Sequence, residues 1–232
     1  MPNNINKGGF NLSVKEVVKF IILKDDMRSS RVFSFSIKRI LDILLSSFIL
    51  IVVTIPMVIV IAMIKIDSPG SPFFCQTRIG LKGKPFQILK LRTMVANAAQ
   101  IQMSLENSNE IEGGVLFKIK EDPRITRVGK LLRRYSIDEI PQLINVIKGE
   151  MSLVGPRPLT IRDLSKLPEN QFLRHEVLPG ITGFWQVSGR SETSSAYLGK
   201  CDRFYVNKWS LSLDLSILIR TIAVVIAGQG AY

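Results

Sequence analysis

The sequence predicts an α+β chain, mainly helical: a compact membrane-associated domain with a re-entrant, proline-kinked membrane helix, a small β-hairpin and interfacial amphipathic helices. Three observations lead there. Ile43 to Ile64 runs for 22 residues without a charge, two extended apolar runs flank the turn-forming LKGK, and three later stretches carry apolar residues at helical spacing. At 232 residues the chain has room for one domain plus appendages and can bury a real core.

Residues 1–36 read as an N-terminal appendage, polar in MPNNINKGG and amphipathic from Val14 to Leu23, and no chemistry is assigned to them. Residues 37–66 are the membrane helix. At about 1.5 Å of rise per residue its uncharged part is about 33 Å long, enough to cross a bilayer. Its position, its length and the lack of a small-residue cleavage site set it apart from a signal peptide. Pro56 removes a helical hydrogen bond near the middle, and Thr54 offers a hydroxyl to the freed carbonyl. Cations stand on both sides, with Arg28, Arg31, Lys38 and Arg39 before and Lys65, Arg78, Lys82 and Lys84 after. The positive-inside tendency therefore draws both ends to the cytoplasm. A helix that bends at Pro56 and leaves by the face it entered satisfies both features, with an ordinary kinked span as the alternative.

Residues 67–232 read as a cytoplasmic domain. DSPGSP is a turn-rich exit from the helix, and FFCQTRIG with PFQILKLRTM forms a hairpin turning at Gly80 and Gly83. Ala96 to Glu110 is polar and helical, broken by Gly113-Gly114. VGKLLRRY has helical spacing, and QLINVIKG is a short amphipathic helix that Gly149 stops. GPRPL is a rigid loop in which two prolines bracket Arg157, and PGITGFWQVSGR is a glycine-punctuated loop or short strand. Trp209 to Ile226 is apolar but interrupted by Asp214 and Arg220, which fits an interfacial or core-packed helix. Tyr205 and Trp209 sit either at headgroup level or in the core.

Thirty-one Lys and Arg against 19 Asp and Glu leave a net charge of +12, which calls for an anionic partner: nucleic acid, an anionic lipid bilayer or a phosphorylated substrate. The chain has no recognition helix, RNA-binding motif or arginine-rich arm, which argues against nucleic acid. Cys75 and Cys201 form no CxxC and fit a reducing, cytoplasmic setting without zinc or a disulfide framework. The single histidine, His175, argues against a histidine metal site or a Ser/His/Asp triad, though not against a lone base. GxxxxGK[ST] and GxGxxG are both missing, which removes the P-loop and dinucleotide-binding readings.

The most informative stretch is RRYSIDEIPQL, Arg133 to Leu143, where two acids stand together in a basic chain. Asp138 suits a helix N-cap with Pro141 in the first turn, where a missing N–H is harmless; that reading makes Asp138→Asn nearly neutral. The same geometry suits chemistry. A carboxylate at a helix start, preceded by Arg133 and Arg134, has its ionised form favoured, and the same positive groups hold a phosphate beside it. An acid and a diphosphate repel unless cations neutralise them, and Mg²⁺ held by one or both acids is the usual supplement.

Together, KRILDILL, DSPGSPFFCQTRIGLKGKPFQILKLRTM, SIDEIPQLINVIKGEMSLVGPRP and LPGITGFWQVSGR closely resemble the bacterial sugar transferases, or monotopic phosphoglycosyl transferases, from about Lys38 to the C-terminus. The resemblance implies a catalytic domain on the cytoplasmic face of the bacterial inner membrane. There it would move a sugar 1-phosphate from a UDP-sugar to undecaprenyl phosphate with release of UMP, initiating surface polysaccharide or glycoconjugate synthesis. It implies a membrane helix broken at Pro56, although Ile55-Pro56 stands where Ser-Pro is commoner. It implies Asp138 as the nucleophile that carries the phosphosugar, Glu139 as its Mg²⁺ or proton partner, and both acids as metal ligands. Arg133 and Arg157 match phosphate-contacting arginines, and Lys90, Arg92 and Arg190 are further substrate-binding candidates. Asp202 and Tyr205 fall in a family stretch, though Cys201 departs from the usual aliphatic residue. Two rivals stay open: direct transfer with Asp138 and Glu139 as metal ligands only, and a basic membrane module without turnover. No spacing distinguishes one sugar from another, and no motif sets an oligomeric state.

Overall fold

The computed structural model describes residues 14–98, 100–101, 119, 121–166, 169–189 and 195–228, with side chains from residue 33 onward save at 169, 170 and 195. The expected helix from Ala96 to Glu110 lies largely outside them, as do Gly113 and Gly114. In chain order the elements are α1 Val14–Asp67, β1 Phe73–Ile79, β2 Pro85–Leu91, α2 Arg127–Arg134, a 3₁₀ turn Ile137–Glu139, α3 Gln142–Lys148, β3 Ser152–Val154, α4 Ile161–Ser165, a 3₁₀ segment Glu169–Glu176, β4 Gly180–Thr182, α5 Ser195–Lys208 and α6 Leu211–Ala227. This is a mainly helical α+β chain with small sheets and one long apolar helix. Compactness divides it into Met1–Arg39, helical from Val14, and Ile40–Tyr232, which holds everything that follows.

Within the second unit, α1 buries one stripe and exposes the rest. Asp42, Ser46 and Ile64 are buried. Leu50 packs on the main core, and Met57, Val60 and Ile61 pack on Ile64, Leu91 and Leu132. The other side shows Leu44, Phe48, Ile51, Ile55 and Ile59, with Ile55 77% exposed. Contiguous exposed apolar surface of that kind marks an interaction face rather than a water-facing one. Thr54 Oγ1 donates to the Leu50 carbonyl at 2.7 Å, whereas the carbonyl that Pro56 frees belongs to Val52, four residues before it. The hydroxyl thus back-bonds its own turn, a contact that bends helices, instead of repairing the gap left by proline.

The hairpin is as expected. β1 and β2 pair antiparallel from Phe73 opposite Leu91 to Ile79 opposite Pro85, and the turn closes with Gly80 N–H donating to the Lys84 carbonyl at 2.8 Å. Alternation places Gln76 and Arg78 of β1 on the face that carries Ile88 and Lys90 of β2. Asn145 of α3 then acts as a third strand in miniature, accepting from Leu89 N–H at 3.0 Å and donating to the Gln87 carbonyl at 2.7 Å. Those two bonds fix α3 against β2. Gly149 ends α3 in the left-handed region at φ 86°, as the sequence predicts.

The core joins Ile88, Leu143, Val146, Met151, Leu153, Val154, Tyr205 and Ile217, beneath a parallel β3–β4 pair. A Cβ on Gly180 would lie 2.1 Å from the Gly155 nitrogen, so only glycine lets β4 approach the loop that carries Arg157 this closely. Tyr205 and Trp209 belong to the core: the Tyr205 hydroxyl and the Trp209 indole N–H donate to buried Asp214 at 2.8 and 3.1 Å. Ile217 of α6 is buried while Leu215, Ile219, Ile222 and Ile226 face outward, so α6 is both core-packed and amphipathic.

Candidate active site

Ser136 sits in the left-handed region at φ 53°, and the chain then makes one 3₁₀ turn, Ile137–Glu139, before Pro141 opens α3. Asp138 lies inside that turn and is no N-cap; no side chain caps either start. The turn carries Asp138 into the protein, where it is 8% exposed, and leaves Glu139 on the wall of a cleft. The cleft is a small one, lying between the hairpin face (Arg78, Ile88, Lys90), Glu139 and Gln142, the Arg157-Pro158 loop, and Gly180-Ile181 of β4.

Lys90 ties the pair together. Its Nζ is 2.6 Å from Glu139 Oε1 and 3.9 Å from Asp138 Oδ2. Arg157 Nη1 approaches the same Glu139 oxygen at 3.4 Å. Burial pushes the Asp138 carboxyl above its ordinary value; Lys90 opposes that rise, Glu139 adds to it, and Arg133 and Arg157 oppose it. The neighbouring arginines therefore do not win, contrary to the expectation from sequence that the ionised form is favoured: desolvation outweighs the cations. Asp138 is a more basic carboxylate than a surface one, and a more basic oxygen is the better nucleophile.

Lys90, Asp138, Glu139 and Arg157 are thus brought together. Arg133 stands one layer back, its Nε donating to Thr93 Oγ1 at 2.9 Å, and burial lowers its pKa while Asp138 raises it. Arg92 is turned elsewhere: its two terminal nitrogens donate to the carbonyls of Pro69 and Ser68 at 2.7 and 2.6 Å, closing the exit of α1. Arg190 lies outside the described residues. His175 Nδ1 meets the Gly80 carbonyl at 3.0 Å, at the hairpin turn.

Two cleft residues were not singled out from sequence. Arg78 reaches the cleft from β1, and burial together with the Arg157 charge pulls its guanidinium down to about 10. The signal for it was the pleat, since Arg78 shares a hairpin face with Lys90. Gln142 is 2% exposed, and its Nε2 has no hydrogen-bond partner among the described residues, a donor that a ligand can satisfy. With Lys90 and Arg157, Arg78 surrounds Glu139 by three cations, an excess of positive charge suited to an incoming anion.

No group of three or more His, Cys, Asp or Glu able to hold a metal occurs among the described residues. The hard carboxylate oxygens of Asp138 and Glu139 nevertheless fit Mg²⁺, which takes one or two protein carboxylates and completes its shell with water and substrate phosphate.

A family model described as bacterial sugar transferase matches residues 33–228. The chain is 42% identical over 195 residues to the galactosyl transferase CpsE of Streptococcus agalactiae, a match covering 84% of this chain and 43% of that protein. It is 40% identical over 209 residues to the undecaprenyl-phosphate galactose phosphotransferase of Salmonella typhimurium, covering 88% of this chain and 43% of the relative. Against the exopolysaccharide production protein ExoY of Sinorhizobium fredii it is 39% identical over 198 residues, 84% of this chain and 88% of the relative. This chain therefore spans less than half of the first two proteins and most of the third. A match that runs from the apolar half of α1 to the end of α6, and takes in every described residue of the cleft, means that this chain belongs to the bacterial sugar transferase family.

Proposed function

We propose that this protein transfers a sugar 1-phosphate from a UDP-sugar to undecaprenyl phosphate at the cytoplasmic face of the inner membrane, as the first step of a surface polysaccharide or glycoconjugate. The observation that carries the reading is the buried Asp138 and the cleft-lining Glu139 bridged by Lys90, beside a cleft that also holds Arg157 and Arg78. An Asp138 oxygen attacks the β-phosphorus of the donor, the bond from that phosphorus to the bridging oxygen breaks, and UMP leaves with the bonding electrons. An oxygen of undecaprenyl phosphate then attacks the same phosphorus. The carboxylate departs, and the lipid diphosphate sugar forms. Lys90, Arg78 and Arg157 bind and orient the diphosphate oxygens and offset the charge on UMP as it departs. Mg²⁺, held by Glu139 and by Asp138 before attack, would supply further charge neutralisation on the diphosphate.

A monotopic placement is supported by the two ends of the apolar run. Asp42 accepts from Ser152 Oγ at 2.7 Å and from Leu153 N–H at 3.1 Å, and Asp67 accepts from Val128 N–H at 3.0 Å. Both ends thus dock on one domain. A helix that crossed the bilayer would carry one of them to the far side. With Cys75→Ser as background, Ser36→Cys and Lys65→Cys are both expected to resist a membrane-impermeant maleimide in intact cells and to react once the cells are opened. Labelling of either one from outside overturns the placement.

The reaction is tested by incubating the purified protein with a panel of UDP-sugars, Mg²⁺ and undecaprenyl phosphate. UMP release with one donor is expected, together with a phosphosugar adduct on Asp138 when the lipid is withheld. Turnover without that adduct would move the chemistry to direct attack by the lipid phosphate. No UMP with any donor would leave a binding module.

A further inference from the structure

Four consecutive carbonyls of the GPRPL loop, from Pro156 to Leu159, each meet a donor. The backbone serves the outer two: Gly180 N–H donates to the Pro156 carbonyl at 2.9 Å, and Ile79 N–H to the Leu159 carbonyl at 3.1 Å. Guanidinium groups serve the inner two: Arg174 Nη2 donates to the Arg157 carbonyl at 2.5 Å, and Arg78 Nη1 to the Pro158 carbonyl at 3.1 Å. Pro156 and Pro158 have no N–H, so the loop cannot pair through a regular ladder, and its buried carbonyls need donors from outside. Each guanidinium has a buried acid beside it, Asp202 Oδ2 at 3.2 Å from Arg174 and Asp163 Oδ2 at 4.0 Å from Arg78.

Arg78 lines the cleft and can also touch a substrate, whereas Arg174 does not. The Arg174 side chain is 2% exposed, and it grips the carbonyl of the very residue whose guanidinium faces Glu139. Stability alone does not explain it. A buried ion pair is commonly no more stabilising than apolar side chains of the same volume. This one also sets a second guanidinium near Arg157, and burial and that like charge pull Arg174 below its ordinary value while Asp202 opposes them.

We infer that Arg174, held by Asp202, is a positioning residue for Arg157: it fixes the Arg157 carbonyl so that the guanidinium leaves the loop toward Glu139 and the donor diphosphate. The inference rests on the proposed role of Arg157 in substrate binding. Its test is a double-mutant cycle, Arg174→Gln with Arg157→Ala, reading kcat/KM for UMP release and, for every variant regardless of turnover, the Kd of the UDP-sugar. Arg174→Gln is expected to weaken binding and lower kcat/KM about 10-fold in the wild-type background, and to change them less than about 2-fold once Arg157 is alanine. Equal losses in both backgrounds would overturn the positioning role and leave Arg157 as a substrate contact. If Arg157→Ala itself leaves kcat/KM and Kd unchanged, the assignment of Arg157 to the substrate fails, and the positioning role with it. Should Arg174→Gln fail to fold, Asp202→Asn, which keeps the shape and removes the counter-charge, runs the same cycle and is read in the same way.

Discussion

Asp138→Asn is expected to lower UMP release on the order of 10³-fold or more, and at the same time to raise the thermal midpoint of the folded protein at neutral pH. The loss follows from chemistry, because an amide offers no anionic oxygen to the phosphorus, and no other carboxylate occupies its place. The gain follows from burial. The Asp138 carboxyl sits above its ordinary value with desolvation as the leading cause, so the folded chain binds that proton more tightly than the unfolded chain does. Its contribution to stability is thus fully present below the unfolded value and is lost as pH rises through the raised folded value. At neutral pH an ionised carboxylate is being held where it is stripped of most of its water, and asparagine relieves that. The difference in midpoint between variant and wild type is expected to shrink on acidification, which melting curves at neutral and acidic pH will read. A lower midpoint for the variant at neutral pH would sink the burial argument; wild-type turnover would remove Asp138 from the chemistry.

That balance was the part of the site least visible along the chain. Arg133 and Arg134 precede the acids, and from proximity in sequence both seem to favour ionisation. In three dimensions Arg134 lies 5.7 Å from the centroid of the Tyr135 ring, with its aliphatic part against Gly228 at the end of α6. Arg133 bonds Thr93. Desolvation of Asp138 is a property of the whole packed unit and has no local signature. The helix start was misread for a local reason: Ser136 takes a positive φ, a conformation sequence assigns first to glycine or asparagine, and that kink swings Asp138 inward before α3 begins. The hairpin, α2, α3 with Gly149 and the apolar run were legible because period, turn residues and stops agree there. Arg92, by contrast, looked like its neighbour Lys90, yet it lies one residue past the end of β2, where its guanidinium folds back onto the Ser68 and Pro69 carbonyls, and only Lys90 meets the cleft. Arg174 had no signal in sequence, since its role is defined by a carbonyl 17 residues away.

Lys90→Met is expected to lower kcat/KM about 10- to 100-fold at neutral pH, and the deficit should narrow as pH is raised. Lys90 is the leading influence that holds the Asp138 carboxyl down against burial and the Glu139 charge. Without it, two carboxylates on one turn keep only arginines as counter-charges, Arg133 and Arg157 for Asp138 and Arg78 and Arg157 for Glu139, so the Asp138 value rises further. The attacking form is the anion. The acid limb of kcat/KM, which reports the free enzyme, therefore shifts to higher pH in the variant, and activity recovers as the carboxyl ionises. Lys90→Arg keeps the charge and is expected to leave the limb in place, losing only what the altered fit to Glu139 Oε1, now 2.6 Å from the ammonium, takes away. Were Lys90 solely a contact for the substrate phosphates, its removal would depress kcat/KM by a constant factor at every pH. Parallel profiles for Lys90→Met and wild type would thus rule out its part in tuning the nucleophile, and a displaced limb in Lys90→Arg as well would mean that side-chain shape rather than charge controls Asp138.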